Sequence, residues 1–189
     1  IKLSESTINI LSIGAHKFYG PKGIGAIYIQ NGTIINPLII GGGQEKGISP
    51  GTENPSLISG MATALEIAMN NLEKNNLKIE KMEKLFISLL DETDIKYSIN
   101  GSKRLQGFIN ITFFDYDGYS LLLNLDMNNI AISYGSACSS GSAKASNALL
   151  VTGMKEEIAK NTVRISIGNF IEEDDIKQLV NTLKKIITK

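Results

Sequence analysis

The chain has 189 residues, 42% of them hydrophobic, and its 19 Lys and Arg balance 19 Asp and Glu to a formal net charge of zero. That length buries a sizeable core, as one large domain or two small ones, and the neutral balance argues against a nucleic-acid or polyanion surface. One cysteine excludes an internal disulfide, and one cysteine with one histidine excludes a structural zinc site, so no metal centre is expected.

A lone thiol fits a reducing compartment. The start, Ile1-Lys2-Leu3-Ser4-Glu5, carries no basic-then-apolar leader, and no apolar run is long enough to span a bilayer. A soluble, cytoplasmic protein without membrane or direct nucleic-acid partners is expected.

In chain order, residues 8–13 (Ile-Asn-Ile-Leu-Ser-Ile) read as a short buried strand and 25–30 as a second, with Gly20-Pro21 and Gly23 turning between them. Pro37-Leu38-Ile39-Ile40 is a candidate third strand ending in Gly41-Gly42-Gly43. Pro55 at a first helical position opens a helix in which Leu57, Ile58, Met61, Ala64, Leu65 and Ala68 recur at helical spacing. The Asn-rich stretch 70–77 reads as a break or hinge, and a second amphipathic helix runs over 79–90. Two domains follow, 1–75 and 76–189.

Beyond the hinge, strand-like and helix-like segments alternate: a strand over 108–113, a helix over 119–126 and a short strand over 130–132 that leads into the cysteine segment. Residues 163–167 alternate with period two, which puts Arg164 on one face with Ser166 and opposite Val163, Ile165 and Ile167. The last helix, over 172–188, opens on acids and closes on lysines; that order complements the helix dipole and needs no functional account.

Two segments carry chemistry. Lys17 follows a strand and precedes the stiff, side-chain-poor turn Gly20-Pro21-Lys22-Gly23. A lysine at such a place is ordinarily a solvated residue, but a lysine held at a strand end and partly desolvated forms Schiff bases. Neither a Walker loop nor a Gly-x-Gly-x-x-Gly is present, so these glycines are not a nucleotide loop. Cys138 sits in Gly135-Ser136-Ala137-Cys138-Ser139-Ser140-Gly141-Ser142, neighbours that do not build a core, as an exposed thiol on a pliable loop. An imine-forming lysine and a mobile thiol are the nucleophiles that sulfur extraction from an amino acid requires. Beside that lysine His16 becomes a candidate phosphate donor; Gly41-Gly42-Gly43-Gln44-Glu45 and Gly51-Thr52-Glu53-Asn54 read either as turn chemistry or, at Thr52 in a loop before a helix, as a second phosphate donor. Arg164, within an apolar strand, either pairs with a structural carboxylate or binds a substrate carboxylate; the strand alone leaves both open. Glu45 and Glu53 read as loop residues.

Taken together, Ser12-Ile13-Gly14-Ala15-His16-Lys17-Phe18-Tyr19-Gly20-Pro21-Lys22-Gly23, Gly41-Gly42-Gly43-Gln44-Glu45, Gly51-Thr52-Glu53-Asn54, Ser133-Tyr134-Gly135-Ser136-Ala137-Cys138 and Val163-Arg164-Ile165-Ser166-Ile167-Gly168 resemble the cysteine desulfurases of the NifS/IscS type. These are pyridoxal-phosphate (PLP) enzymes of the class V aminotransferase group. The resemblance runs through essentially the whole chain and corresponds to the C-terminal half of the family. Gly14 and Ser49 stand where the family usually has serine and arginine.

The resemblance implies an α/β architecture, the C-terminal part of a type I PLP-dependent transferase fold. Residues 1–75 would be the C-terminal portion of the PLP-binding large domain, and 76–189 the small C-terminal domain with the cysteine loop. It implies that Lys17 carries pyridoxal 5'-phosphate, that His16 contacts its phosphate and that Thr52 reaches the phosphate of a neighbouring subunit in a homodimer. Arg164 would hold the α-carboxylate of L-cysteine. Cys138 would take the sulfur as a persulfide, leaving L-alanine, and hand it to an acceptor protein, an iron–sulfur scaffold or a thiolation enzyme. The family's ring-binding residues lie in its N-terminal half, so the isolated chain is expected to be inactive. The alternatives are a related PLP lyase or aminotransferase, such as a selenocysteine lyase, and a non-catalytic half that dimerises or docks an acceptor.

Overall fold

A computed structural model describes residues 2–135 and 145–188, which divide into two compact units, Ile1–Leu72 and Glu73–Lys189. Among the described residues no helix is long and apolar enough to cross a membrane.

In the first unit the two isoleucine-rich runs pair. β1 (Ile10–Gly14) and β2 (Gly25–Ile29) form an antiparallel two-stranded sheet in which Ile10 faces Ile29 and Gly14 faces Gly25. A 3-10 turn, Ala15–Phe18, leaves β1 and closes on Tyr19 in the left-handed conformation, φ 66°. α1 (Pro55–Asn70) begins where its capping residues predict: Asn54 accepts the Leu57 N–H at 3.1 Å, and Pro55 fills the first turn, where its missing N–H costs nothing.

The expected third strand does not form. Residues 37–40 are irregular, none of their backbone groups bonds to other described backbone, and Leu38 and Ile40 are 97% and 94% exposed. An apolar run becomes a strand only where its backbone groups pair with a neighbouring strand, and residues 37–40 pair with neither edge of the β1–β2 sheet. Ala15 and Met61 are the buried apolar residues of this unit among those described.

The second unit has a conventional core. Its sheet runs β3–β4–β6–β5, all neighbours antiparallel, from β3 (Tyr97–Ile99), β4 (Phe108–Phe113), β5 (Ser133–Tyr134) and β6 (Thr162–Ser166). The period-two pattern sends Ile109, Ile111, Val163 and Ile165 to one face, where they meet Phe86 and Leu90 of α2 (Leu72–Asp91), Leu121 and Leu125 of α3 (Gly118–Asp126), and Ile176, Val180 and Leu183 of α6 (Glu173–Ile187). Each such side chain contributes roughly 1.5–3 kcal/mol of burial. Short helices α4 (Asn147–Val151) and α5 (Glu156–Lys160) precede β6.

Two further expectations shift. The break expected over 70–77 falls at its first residues, where the chain turns at Asn71, whose side chain caps the Ile67 carbonyl at 2.9 Å; from Leu72 on, the rest of the stretch is helical in α2. Glu73, Lys74 and the amphipathic face downstream outweigh the weak helix propensity of Asn75 and Asn76. The strand expected over 130–132 starts later, at Ser133. Residues up to Ile130 are occupied in closing α3, with the Ile130 N–H bonded to the Leu125 carbonyl at 3.0 Å and Asn129 at φ 60°.

The acidic start of α6 does more than complement a dipole. Asp175 accepts the Glu172 N–H at 2.9 Å, completing a capping box, while Glu172 and Glu173 pair with Lys78 and Lys81 of α2 at 2.5 and 2.6 Å.

Candidate active site

The backbone beneath His16 and Lys17 is pinned while their side chains stay exposed. Fully buried Ala15 donates to the Ile24 carbonyl at 3.1 Å and accepts from the Gly20 N–H at 2.9 Å. Gly20 is required: a Cβ there would lie 2.9 Å from both the Ala15 Cβ and its carbonyl oxygen. α1 rests on the same turn so closely that a Cβ on Gly60 would sit 2.9 Å from Pro21 Cγ. The His16 ring lies over Gly14, where a Cβ would be 3.2 Å from Cε1, so a serine at 14 would crowd this ring position.

Thr52 is exposed in the loop before α1. The Gly41–Glu45 and Gly51–Asn54 segments meet here, since Gln44 Oε1 accepts the Gly51 N–H at 3.3 Å. The Gly41–Gln44 segment therefore shapes the loop that presents Thr52. Among the described residues no hydrogen bond joins Thr52 to His16 or Lys17.

In the second unit Arg164 points off the polar face of β6, exposed, with its Nη2 donating to Ser133 Oγ of β5 at 3.0 Å and its guanidinium 5.9 Å from the Phe108 ring centroid. It has no carboxylate partner among the described residues. The chain's other arginine is the contrast: Arg104 is ion-paired to buried Glu83, which also accepts the Gly107 N–H at 2.7 Å. Of the two roles the strand left open for Arg164, a structural ion pair is not made among the described residues.

Cys138 and the rest of the expected flexible loop, through Ser142, lie outside the described residues. The strand that leads toward them is well fixed. The Tyr134 ring packs on Tyr119 with centroids 5.8 Å apart, and burial, reinforced by the Asp117 carboxylate, pushes the Tyr134 phenol pKa up. Sequence reasoning did not single out Gln44, Ser133 or Phe108. Each acts across a turn or between strands, at separations that local pattern does not encode.

The frame around these residues is that of a portion of an α/β enzyme, with an amine on a strand-end turn and, on a separate sheet, a guanidinium that has no carboxylate partner among the described residues. The chain belongs to the Aminotransferase class-V family, whose pattern matches residues 1–179. It is 42% identical over 191 aligned residues to "Cysteine desulfurase IscS" of Clostridium botulinum (strain Hall), covering 99% of this chain and 48% of that protein. The solved structure of a "NIFS-LIKE PROTEIN" superposes with TM-score 0.86 at 30% identity, over 98% of this chain and 48% of the other. A structure titled "SspA in complex with cysteine" matches with TM-score 0.65 at 33% identity, over 87% of this chain and 45% of the other. The chain thus spans about half the length of the curated relatives it matches.

Class V aminotransferases and cysteine desulfurases depend on pyridoxal phosphate. The donor set here fits that group: an exposed primary amine for its aldehyde, with an imidazole and a hydroxyl suited to its phosphate, the first two on one pinned turn.

Proposed function

We propose that this chain belongs to a cysteine desulfurase, a pyridoxal-phosphate enzyme converting L-cysteine to L-alanine and leaving a persulfide on Cys138. The observation that carries the reading is Arg164, a guanidinium set on a rigid strand by Ser133 and Phe108, without a carboxylate partner among the described residues. Such a group is a receptor for a substrate carboxylate. The 42% identity to a desulfurase supports the choice of substrate, as does the relative whose title names cysteine.

Lys17 would hold the cofactor through its ε-amine, and the same amine would move the proton at the substrate's Cα. His16 donates to the phosphate, and Thr52 reaches the phosphate of the second subunit in a homodimer. When bound, pyridoxal phosphate supplies the electron sink that makes the Cα proton labile. Arg164 fixes the carboxylate, and so the orientation of the Cα–H bond. The Cys138 thiolate attacks the substrate's sulfur: an S–S bond forms, the substrate C–S bond breaks, and protonation of the carbon gives alanine. Cysteine and a thiol thus become alanine and a persulfide, with no external oxidant.

The persulfide then passes to an acceptor protein, an iron–sulfur scaffold or a thiolation enzyme, in the cytoplasm. Residues 1–75 act as part of the cofactor-binding domain and 76–189 as the small domain that carries the thiol. The activity is that of the complete protein, and the 189-residue chain by itself is expected to be inactive.

The test is alanine and sulfide release from L-cysteine with a thiol reductant. In the complete protein Cys138→Ala is expected to abolish both and to leave the cofactor's visible absorption band, which Lys17→Ala removes. Sulfide release that survives Cys138→Ala would instead favour a related lyase, such as one acting on selenocysteine. A wild-type protein that never develops the band would leave only a dimerising or docking role.

A further inference from the structure

Across the polar face of the second unit's sheet, one row of residues lies in register on all the strands. Asn100, just after β3, pairs with Asn110 on β4; Asn110 faces Arg164 on β6; Arg164 faces Ser133 on β5. The hydrogen bonds beneath this row have a direction that chemistry alone decides.

The chain ends at a backbone carbonyl. Thr162 Oγ1 lies 2.7 Å from the Ile158 oxygen, which only accepts, so the Thr162 hydroxyl proton is spent there. The Met154 sulfur, at 3.8 Å, is a much weaker acceptor for it. Thr162 must therefore accept the 2.7 Å bond from Thr112, whose own proton is then spent. Both hydroxyls are buried, so an unmade bond would be costly. Thr112 in turn needs a donor, and receives it from the Asn100 side-chain NH2 at 3.0 Å. That same NH2 lies 2.9 Å from the Asn110 side-chain amide, which must present its oxygen.

The consequence is that the Asn110 amide is locked in one orientation. Its oxygen is used on the β3 side, and its NH2 has no acceptor among the described residues. This unspent donor belongs to the half-buried residue directly opposite Arg164, whose guanidinium is likewise without a carboxylate and has only one nitrogen engaged, by Ser133. Cross-strand partners hold their Cβ atoms roughly 4.5–5.5 Å apart, close enough for both to reach one small anion.

We propose that Asn110 is a second donor to the substrate's α-carboxylate, acting beside Arg164, with the Thr162–Thr112–Asn100 chain keeping its NH2 available. The inference rests on the reading of Arg164 given above and deepens it. Arg164 supplies charge, and Asn110 supplies a neutral, fixed N–H that selects a planar carboxylate over other anions held by charge alone.

Asn110→Asp keeps the oxygen that Asn100 needs and replaces the donor with a repelling carboxylate. Asn110→Ser is the milder companion in case the first variant fails to fold. In the complete holoenzyme each should raise KM for L-cysteine, by about tenfold or more for the Asp variant, with kcat changed much less. Independently of turnover, the Asn110 side-chain amide resonances should shift when L-alanine is titrated in, and stay put with ethylamine, which lacks the carboxylate.

An unchanged KM in a folded variant, or an amide signal indifferent to L-alanine, would overturn the proposal. Failure of the desulfurase reading shows elsewhere, as alanine production that survives loss of Cys138, and the amide titration does not depend on that residue.

Discussion

The two units are stabilised by different means. The second has a continuous core in which Phe86, Leu90, Ile109, Ile111 and Leu183 are wholly buried. The first, which carries Lys17 and Thr52, buries Ala15 and Met61 and leaves Ile27 and Ile34 at 52% and 92% exposure. Its geometry comes from turns, caps and close glycine contacts rather than from excluded water. Local chemistry is enough to shape a site, whereas burial is what makes a unit stable. Within this chain the unit that presents the amine buries less apolar surface than the unit that presents the guanidinium.

The sharpest way to break this comparison is to remove apolar bulk from each unit. Phe86→Ala, in the second unit's core, should cost about 3–5 kcal/mol. Ile27→Ala, on the half-exposed β2, should cost well under about 1 kcal/mol by the same area argument. Denaturant unfolding of the two variants measures both, and equal losses would show that the first unit has a hidden core. Next in size is Glu83→Ala. It strips the carboxylate from Arg104 and from the Gly107 N–H, leaving a partly buried guanidinium uncompensated. A loss of about 2–4 kcal/mol is expected, confined to the second unit, and read from the midpoint of its unfolding.

The same contrast explains what the sequence made legible. α1, β6 and α6 were readable because their signals are local: an Asn-Pro start, a two-residue alternation, acids before bases. Pro37–Ile40 has the composition of a strand, but pairing is decided by what lies alongside, which composition does not carry. The asparagines of 70–77 signal a break, which the chain makes at Asn71; Asn75 and Asn76 are absorbed into α2 because its apolar face further on holds it in place. The chemistry-bearing lysine and arginine were visible as isolated anomalies. Asn110 and Ser133 were not, because their meaning comes from cross-strand register with Arg164, more than fifty and thirty positions away in the chain respectively.

The smallest expected effect is a pH dependence in the second unit. Tyr97 on β3 has its phenol pKa pushed up to about 12 from 10.0, first by burial and then by the hydrogen bond it donates to the Asp91 carboxylate at the end of α2. The fold therefore favours the protonated phenol. The stabilisation is complete below pH 10, where folded and unfolded chains both keep the proton, and it is lost as pH rises from 10.0 toward about 12. Tyr97 is half-buried and Asp91 is exposed, so solvent screening holds the contribution to under about 1 kcal/mol. Tyr97→Phe should lower stability slightly at neutral pH and flatten the decline between pH 10 and 12 relative to wild type. The flattening should appear in the unfolding of the second unit; the Lys17 hairpin contains neither partner of this bond, so a Tyr97-dependent slope in its own hydrogen exchange would show that the two units do not unfold independently.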